Sequence, residues 1–164
     1  SFYEQVRHDL IMYARQLAWF HSTPIDKKRK VVSGETEPDK PLTRGEKIVR
    51  NGGTPLMPDV GAAAYLVDYW HDVGLVSVGG MGPAPLTSVE LMAWQEGRGF
   101  HLQPWEFHTL REMSRAYLAQ AHASENPECP PPFGDPVNEF DREVVSKKVT
   151  NAFKAFIQAK RAER

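Results

Sequence analysis

The chain has 164 residues, with 20 Lys or Arg against 21 Asp or Glu and a formal net charge of -1. That length fits one domain with a real core, and the balanced charge argues against a wholesale nucleic-acid binder, which is normally clearly basic. Hydrophobic content of 41% excludes a disordered chain, the single Cys129 excludes an internal disulfide, and no apolar run approaches the roughly 20 residues of a membrane-spanning helix.

A lone cysteine fits a reduced, cytosolic setting or a protein indifferent to redox state. The first twenty residues lack the order of a signal peptide, because Arg7, His8, Asp9 and Arg15 interrupt any apolar core. The chain opens at Ser1, as expected after removal of an initiator methionine.

Ser1 to about His21 is predicted to be a helix. Ser1 and Glu4 have capping-box spacing, and Phe2, Val6, Leu10, Tyr13, Leu17 and Phe20 recur on one face. Ile11, Met12, Ala14 and Trp19 widen the apolar stripe, so this helix is expected to be buried on more than one side. From Ser22 to Pro58 the periodicity is lost to Pro24, Pro38, Pro41, Pro55 and Pro58. This stretch carries eight Lys or Arg against five Asp or Glu, with Lys27-Lys28-Arg29-Lys30 as a basic run. It reads as a long exposed basic loop over 22–58, with one short helix at Arg44–Arg50.

Asp59 to Val73 is predicted as a helix with Val60, Ala63, Ala64, Val67 and Trp70 as its stripe and Gly74 as its C-terminal glycine. Leu75 to Pro85 reads as a flexible connector with room for one short strand, and Gly79-Gly80-Met81-Gly82-Pro83 as a hinge. Thr87 and Glu90 form a second capping box. The helix they start is expected to stop at Glu96-Gly97-Arg98-Gly99. Leu102-Gln103-Pro104-Trp105-Glu106 opens a longer helix to about Ala123, with proline at the first helical position and an acid in the first turn. Residues 126–136 hold five prolines and form a stiff spacer. A last amphipathic helix is expected over 137–162, with Val145, Val149, Ala152, Phe153, Phe156 and Ile157 on one face. The fold class is therefore all-α: about five helices in one domain spanning 1–164, with a long basic loop after the first helix and a Pro-rich spacer before the last.

No catalytic signature is present. His101, His108, His122 and Cys129 lack the paired spacing of a zinc site, so no metal and no cofactor is expected. His108 and Glu112 are four apart, which suits an ordinary helix-surface contact better than an acid–base pair. The glycine-rich stretch lacks the Lys-Ser/Thr of a phosphate loop. The Lys27–Lys30 run reads as a solvated loop before it reads as a nucleic-acid contact or import signal. Four tryptophans exceed what a small helical core needs. Trp94 and Trp105, beside the glycine turn, are the ones most suited to lining a partner groove.

The block Leu86-Thr87, Glu90-Leu91, Ala93-Trp94, glycine turn, Leu102, Pro104-Trp105-Glu106, Leu110, Met113-Ser114, Arg115-Ala116-Tyr117-Leu118, Cys129-Pro130-Pro131-Pro132-Phe133 resembles tail assembly chaperones and related tail-module proteins of tailed bacteriophages. The resemblance covers about residues 85–133. It implies a non-enzymatic protein of the bacterial host cytoplasm that binds tape-measure or tail-tube proteins during virion assembly. The partner-binding residues it implies are Trp94, Leu102, Trp105, Leu110 and Tyr117. Phe153 and Phe156 join them if the amphipathic faces of the first and last helices serve self-association. The rival readings are another phage structural component or an inhibitor of a host protein. A nucleic-acid-associated regulator using the basic loop is less favoured, and no membrane association is expected.

Overall fold

The computed structural model describes residues 1–25 and 40–135. Five α-helices and one short hairpin make up the regular structure of this region: α1 (Phe2–His21), α2 (Arg44–Arg50), α3 (Ala64–Val73), β1 (Ser77–Gly79), β2 (Gly82–Ala84), α4 (Ser88–Arg98) and α5 (Pro104–Ala123). The fold is broadly all-α. The basic run Lys27–Lys30 and the helix expected over 137–162, with Phe153 and Phe156, lie outside the described residues.

The helix starts reflect cap chemistry. Glu4 reaches back to the Ser1 nitrogen at 2.6 Å. At α2, Thr43 Oγ1 accepts from Glu46 N while Glu46 Oε2 accepts from Thr43 N. Thr87 and Glu90 do the same for α4. Gln103 N donates to Glu106 Oε2 at 2.6 Å, and Pro104 follows in the first turn of α5. Each cap satisfies backbone donors that the helix itself leaves unpaired.

Three sequence expectations are refined. The helix expected from Asp59 begins instead with a 3-10 turn, Gly61–Ala63, and turns α-helical at Ala64. Asp59 Oδ1 accepts from Gly61 N, which delays helix entry by two residues. The Leu75–Pro85 connector holds two strands, with Val78 opposite Pro83 and Gly79 opposite Gly82. A proline is tolerated there because its missing N–H faces the open edge of a two-stranded ribbon. Finally, α4 runs through Gly97 and ends on Gly99, which takes the left-handed conformation at φ 71°.

The two long helices, α1 and α5, are each 20 residues and about 30 Å long. They run in the same direction. Tyr3 meets Trp105, Arg7 pairs with Glu112, and Arg15 Nε donates to Gln120 Oε1, so contacts advance together along both. The core lies between them and α3 and α4. Leu10 and Ala14 of α1, Leu66 and Trp70 of α3, Leu91 of α4, and Leu110 and Met113 of α5 are all fully buried. A smaller cluster, Trp19, Phe20 and Ile48, closes the far end of α1 against α2, with Met57 and Cys129 beside it.

Polar side chains pin the connections. Gln16 is fully buried, donates to Leu56 O at 2.9 Å and accepts from Phe133 N at 3.1 Å. Arg44 lies over the Trp19 ring at 4.9 Å and donates to Ser22 Oγ, Ser124 O and Asn126 O. Ser114 Oγ accepts from Leu86 N at 2.9 Å, fixing the approach to α4. All these groups would be costly to bury unpaired.

Candidate interaction surface

The turn between α4 and α5 positions the two tryptophans singled out by sequence. Gly99 reverses the chain, and the buried Gln95 carboxamide oxygen then accepts from Leu102 N at 3.0 Å. This bond sets where α5 starts, and with it the side chain of Trp105. On α4, the Trp94 indole N–H donates to Asp72 Oδ2 at 2.8 Å, and Arg98 pairs with the same carboxylate oxygen at 3.0 Å.

Around these two residues aromatic rings gather from four elements. Phe2 and Tyr3 of α1 lie edge to face at 5.7 Å, and Tyr3 reaches Trp105 at 5.3 Å. Tyr65 and Tyr69 of α3 lie 5.5 Å from each other. Tyr69 stacks on Phe100 at 4.9 Å, and Trp94 meets Phe100 at 5.1 Å. Glu106 links the two groups, because it accepts from the Tyr65 hydroxyl one residue after Trp105. Desolvation, then this bond to the carboxylate, hold the Tyr65 phenol far above the usual tyrosine range. The phenol is a fixed donor.

The band is partly open to solvent. Phe2 is 72% exposed and Tyr3 57%. A cleft of about 340 Å³ opens between α1 and α5 beside them, walled by Tyr3, Trp105 and His108 and crossed by the Arg7–Glu112 pair. That pair is bidentate: two guanidinium nitrogens, Nε and Nη2, donate one to each carboxylate oxygen. Both Glu112 oxygens are therefore engaged by Arg7. On the other side, a cavity of about 330 Å³ is lined by Met92 and Phe100. It leads to the outer face of α4, where Val89 and Met92 are exposed. At the hairpin Val78 is 91% exposed and Met81 wholly so. Ser77 Oγ donates to Glu90, tying the hairpin to the start of α4. This and the Thr87 bonds hold the Glu90 carboxyl below its ordinary range.

The residues implied by the resemblance divide accordingly. Trp94 and Trp105 lie in the aromatic band. Leu102 is half-buried against the main core. Leu110 is fully buried and offers no surface in this fold. Tyr117 is half-buried, with its ring against Trp70 at 5.7 Å and its hydroxyl 2.7 Å from His21 Nδ1. Sequence reasoning passed over Tyr3, Tyr65, Tyr69 and Phe100 as surface residues. The i,i+4 spacing of Tyr65 and Tyr69 was the available signal. Rings contributed by separate elements leave no local pattern.

Among the described residues no cluster of three or more His, Cys, Asp or Glu is placed to hold a metal ion. No helix among them is long and apolar enough to cross a membrane. Comparison of the chain with protein-family models, with curated proteins and with solved structures finds no match.

Proposed function

We propose that the protein is a non-enzymatic binding protein of a tailed bacteriophage, acting in tail assembly by engaging the tape-measure or tail-tube protein. The single observation that carries the binding reading is the half-open aromatic band, Phe2, Tyr3, Trp105, Tyr65, Tyr69, Phe100 and Trp94, continued by the exposed aliphatics of α4 and the hairpin. Aromatic side chains with a polar handle dominate binding energy at protein interfaces, and an apolar patch on a monomer marks a contact surface. The tail-module assignment rests on the sequence block between residues 85 and 133. A long, apolar helical client is the chemistry such a surface would shield.

The test is co-expression with the other proteins of the same tail module, then size-exclusion chromatography with light scattering. A stable complex is expected. Trp105→Ala should then weaken it by about 2 kcal/mol, near thirty-fold in Kd, while Val49→Ala, on the opposite end of the molecule, leaves it unchanged. Binding that ignores these proteins, but captures nucleic acid with a steep salt dependence, would overturn this reading.

A further inference from the structure

At the end of α1 away from the aromatic band, a second open cavity lies between the last turns of α1, the helix α2 and residues 55–57. Its volume is about 630 Å³, nearly twice that of the cleft at Trp105. Its walls are mostly apolar, formed by Leu17, Phe20, Val49, Pro55 and Met57. Phe20 belongs to the small buried cluster at this end, so that wall is fixed. Val49 is 60% exposed, while its neighbour Ile48 is buried. Covering these carbons would be favourable.

Charge sets this end apart. Residues 40–58 carry Lys40, Arg44, Lys47 and Arg50 against Glu46 alone, in a chain of net charge -1. Arg44 is turned inward and held by Ser22, Ser124 and Asn126. Glu46 also lines the cavity, but its carboxylate accepts from Thr43 N in the helix cap. Lys40, Lys47 and Arg50 are exposed, and among the described residues their side chains make no ion pair or hydrogen bond. Arg50 lines the cavity, and Lys47 lies one turn before it on the same side of α2. The groove is thus apolar inside and positive along the α2 rim.

The backbone around the cavity limits what can enter. Two walls are helices, whose backbone groups pair internally. In the third, Pro55 has no N–H, and Leu56 O already accepts from Gln16 Nε2. No strand edge is offered, so an extended partner would leave its own N–H and C=O groups unpaired against apolar walls. A helix brings its backbone bonds with it. Charge argues against the chain's own last residues, since 136–164 hold seven Lys or Arg against four Asp or Glu.

We propose that the groove between α1 and α2 receives an acidic amphipathic helix of a partner protein, with apolar side chains against Leu17, Phe20, Val49 and Met57 and Asp or Glu facing Arg50 and Lys47. It is a second surface, separate from the band at Trp105, and it does not depend on the identity of any client bound there.

The experiment is fluorescence anisotropy of the full chain with two labelled peptides of about 18 residues, or five helical turns. Both carry leucine at i, i+3, i+4 and i+7 spacing. One has glutamate on its polar face, and its twin has lysine there. The glutamate peptide should bind about ten-fold tighter than the twin. Val49→Asp, at an exposed position that spares the fold, should weaken it by about ten-fold. Arg50→Glu should weaken it by about five-fold, a difference that disappears at about 0.5 M salt. Trp105→Ala should leave it unchanged, which separates failure of this groove from failure of the aromatic band. Equal binding of the two peptides, binding of neither, or indifference to Val49→Asp would each overturn the proposal. So would displacement of the glutamate peptide by a single-stranded DNA oligonucleotide of equal charge, which would assign the basic rim to nucleic acid.

Discussion

The middle and the C-terminal end of α1 are held in place by different physics. Its middle buries Leu10 and Ala14 among Leu66, Trp70, Leu91, Leu110 and Met113, a core of packed carbon with little polar content. Its C-terminal end buries the smaller apolar set Ala18, Trp19 and Phe20, with Ile48 of α2 against them. There the work passes to Gln16, Arg44, Gln120 and Ser124, each buried and each gripping a backbone group or another polar side chain. Carbon packing is non-directional and tolerates many loop paths around it. Hydrogen bonds to particular carbonyls at Leu56, Ser124, Asn126 and Cys129 admit one path only. The middle supplies stability. The C-terminal end fixes where the loops run.

Substitutions in the two regions should differ in both size and reach. Trp70→Ala should have the largest effect, a loss of about 3–5 kcal/mol, because it empties a fully buried site and leaves Leu75 O without its indole donor. Denaturant unfolding monitored by tryptophan fluorescence should show a lower midpoint with one cooperative transition. Arg44→Met should cost about 2–3 kcal/mol by leaving the Ser124 and Asn126 carbonyls unpaired. Its signature is local: amide exchange should accelerate first around residues 124–129, ahead of the α3 amides. Uniform acceleration across the chain would erase the distinction between the two regions.

The smallest effect comes from pH. His21 is exposed over the residue as a whole, but its ring packs edge-on at 5.8 Å from Tyr117. Desolvation, then repulsion from His71, hold its pKa below the usual histidine value. The folded protein therefore takes up this proton less readily than the unfolded chain. The neutral ring's contribution is fully present above about pH 6.5. It is lost as pH falls through that value towards the folded pKa. Thermal unfolding between pH 7.5 and 5 should show a fall in midpoint that His21→Gln reduces. An unchanged pH slope in the variant would assign the effect to other groups.

The same division decides what was legible in the sequence. The helices were readable wherever cap chemistry and periodicity agreed: Thr87 with Glu90, Pro104 with Glu106, the stripe from Val6 to Leu17. The short helix expected at Arg44–Arg50 is found at those bounds, started by a Thr43–Glu46 capping box. The polar staples were not, because nothing local marks Gln16, Gln95 or Gln120 as buried, and the backbone groups that Gln95 and Gln16 grip lie 7 to 117 residues away. The hairpin was half-legible, since its glycines announced a turn while Pro83 argued against a strand. Leu110 illustrates the limit of stripe reasoning. Periodicity gives the apolar face of α5 correctly but cannot say which of its residues reach the surface.

The parallel arrangement of α1 and α5 has a consequence for synthesis. The bonds that join the two helices link residues 105 apart in sequence, Arg7 to Glu112 and Arg15 to Gln120. Helix α1 therefore leaves the ribosome long before its principal packing partner exists. At elongation speeds of about 5–20 residues per second, it waits at least several seconds with its wide apolar stripe uncovered. Loop closure over that distance comes late and makes folding slow for a helical protein. During this interval the stripe of α1 is the uncovered apolar surface of the nascent chain, and an isolated α1 peptide is the segment a general chaperone should capture.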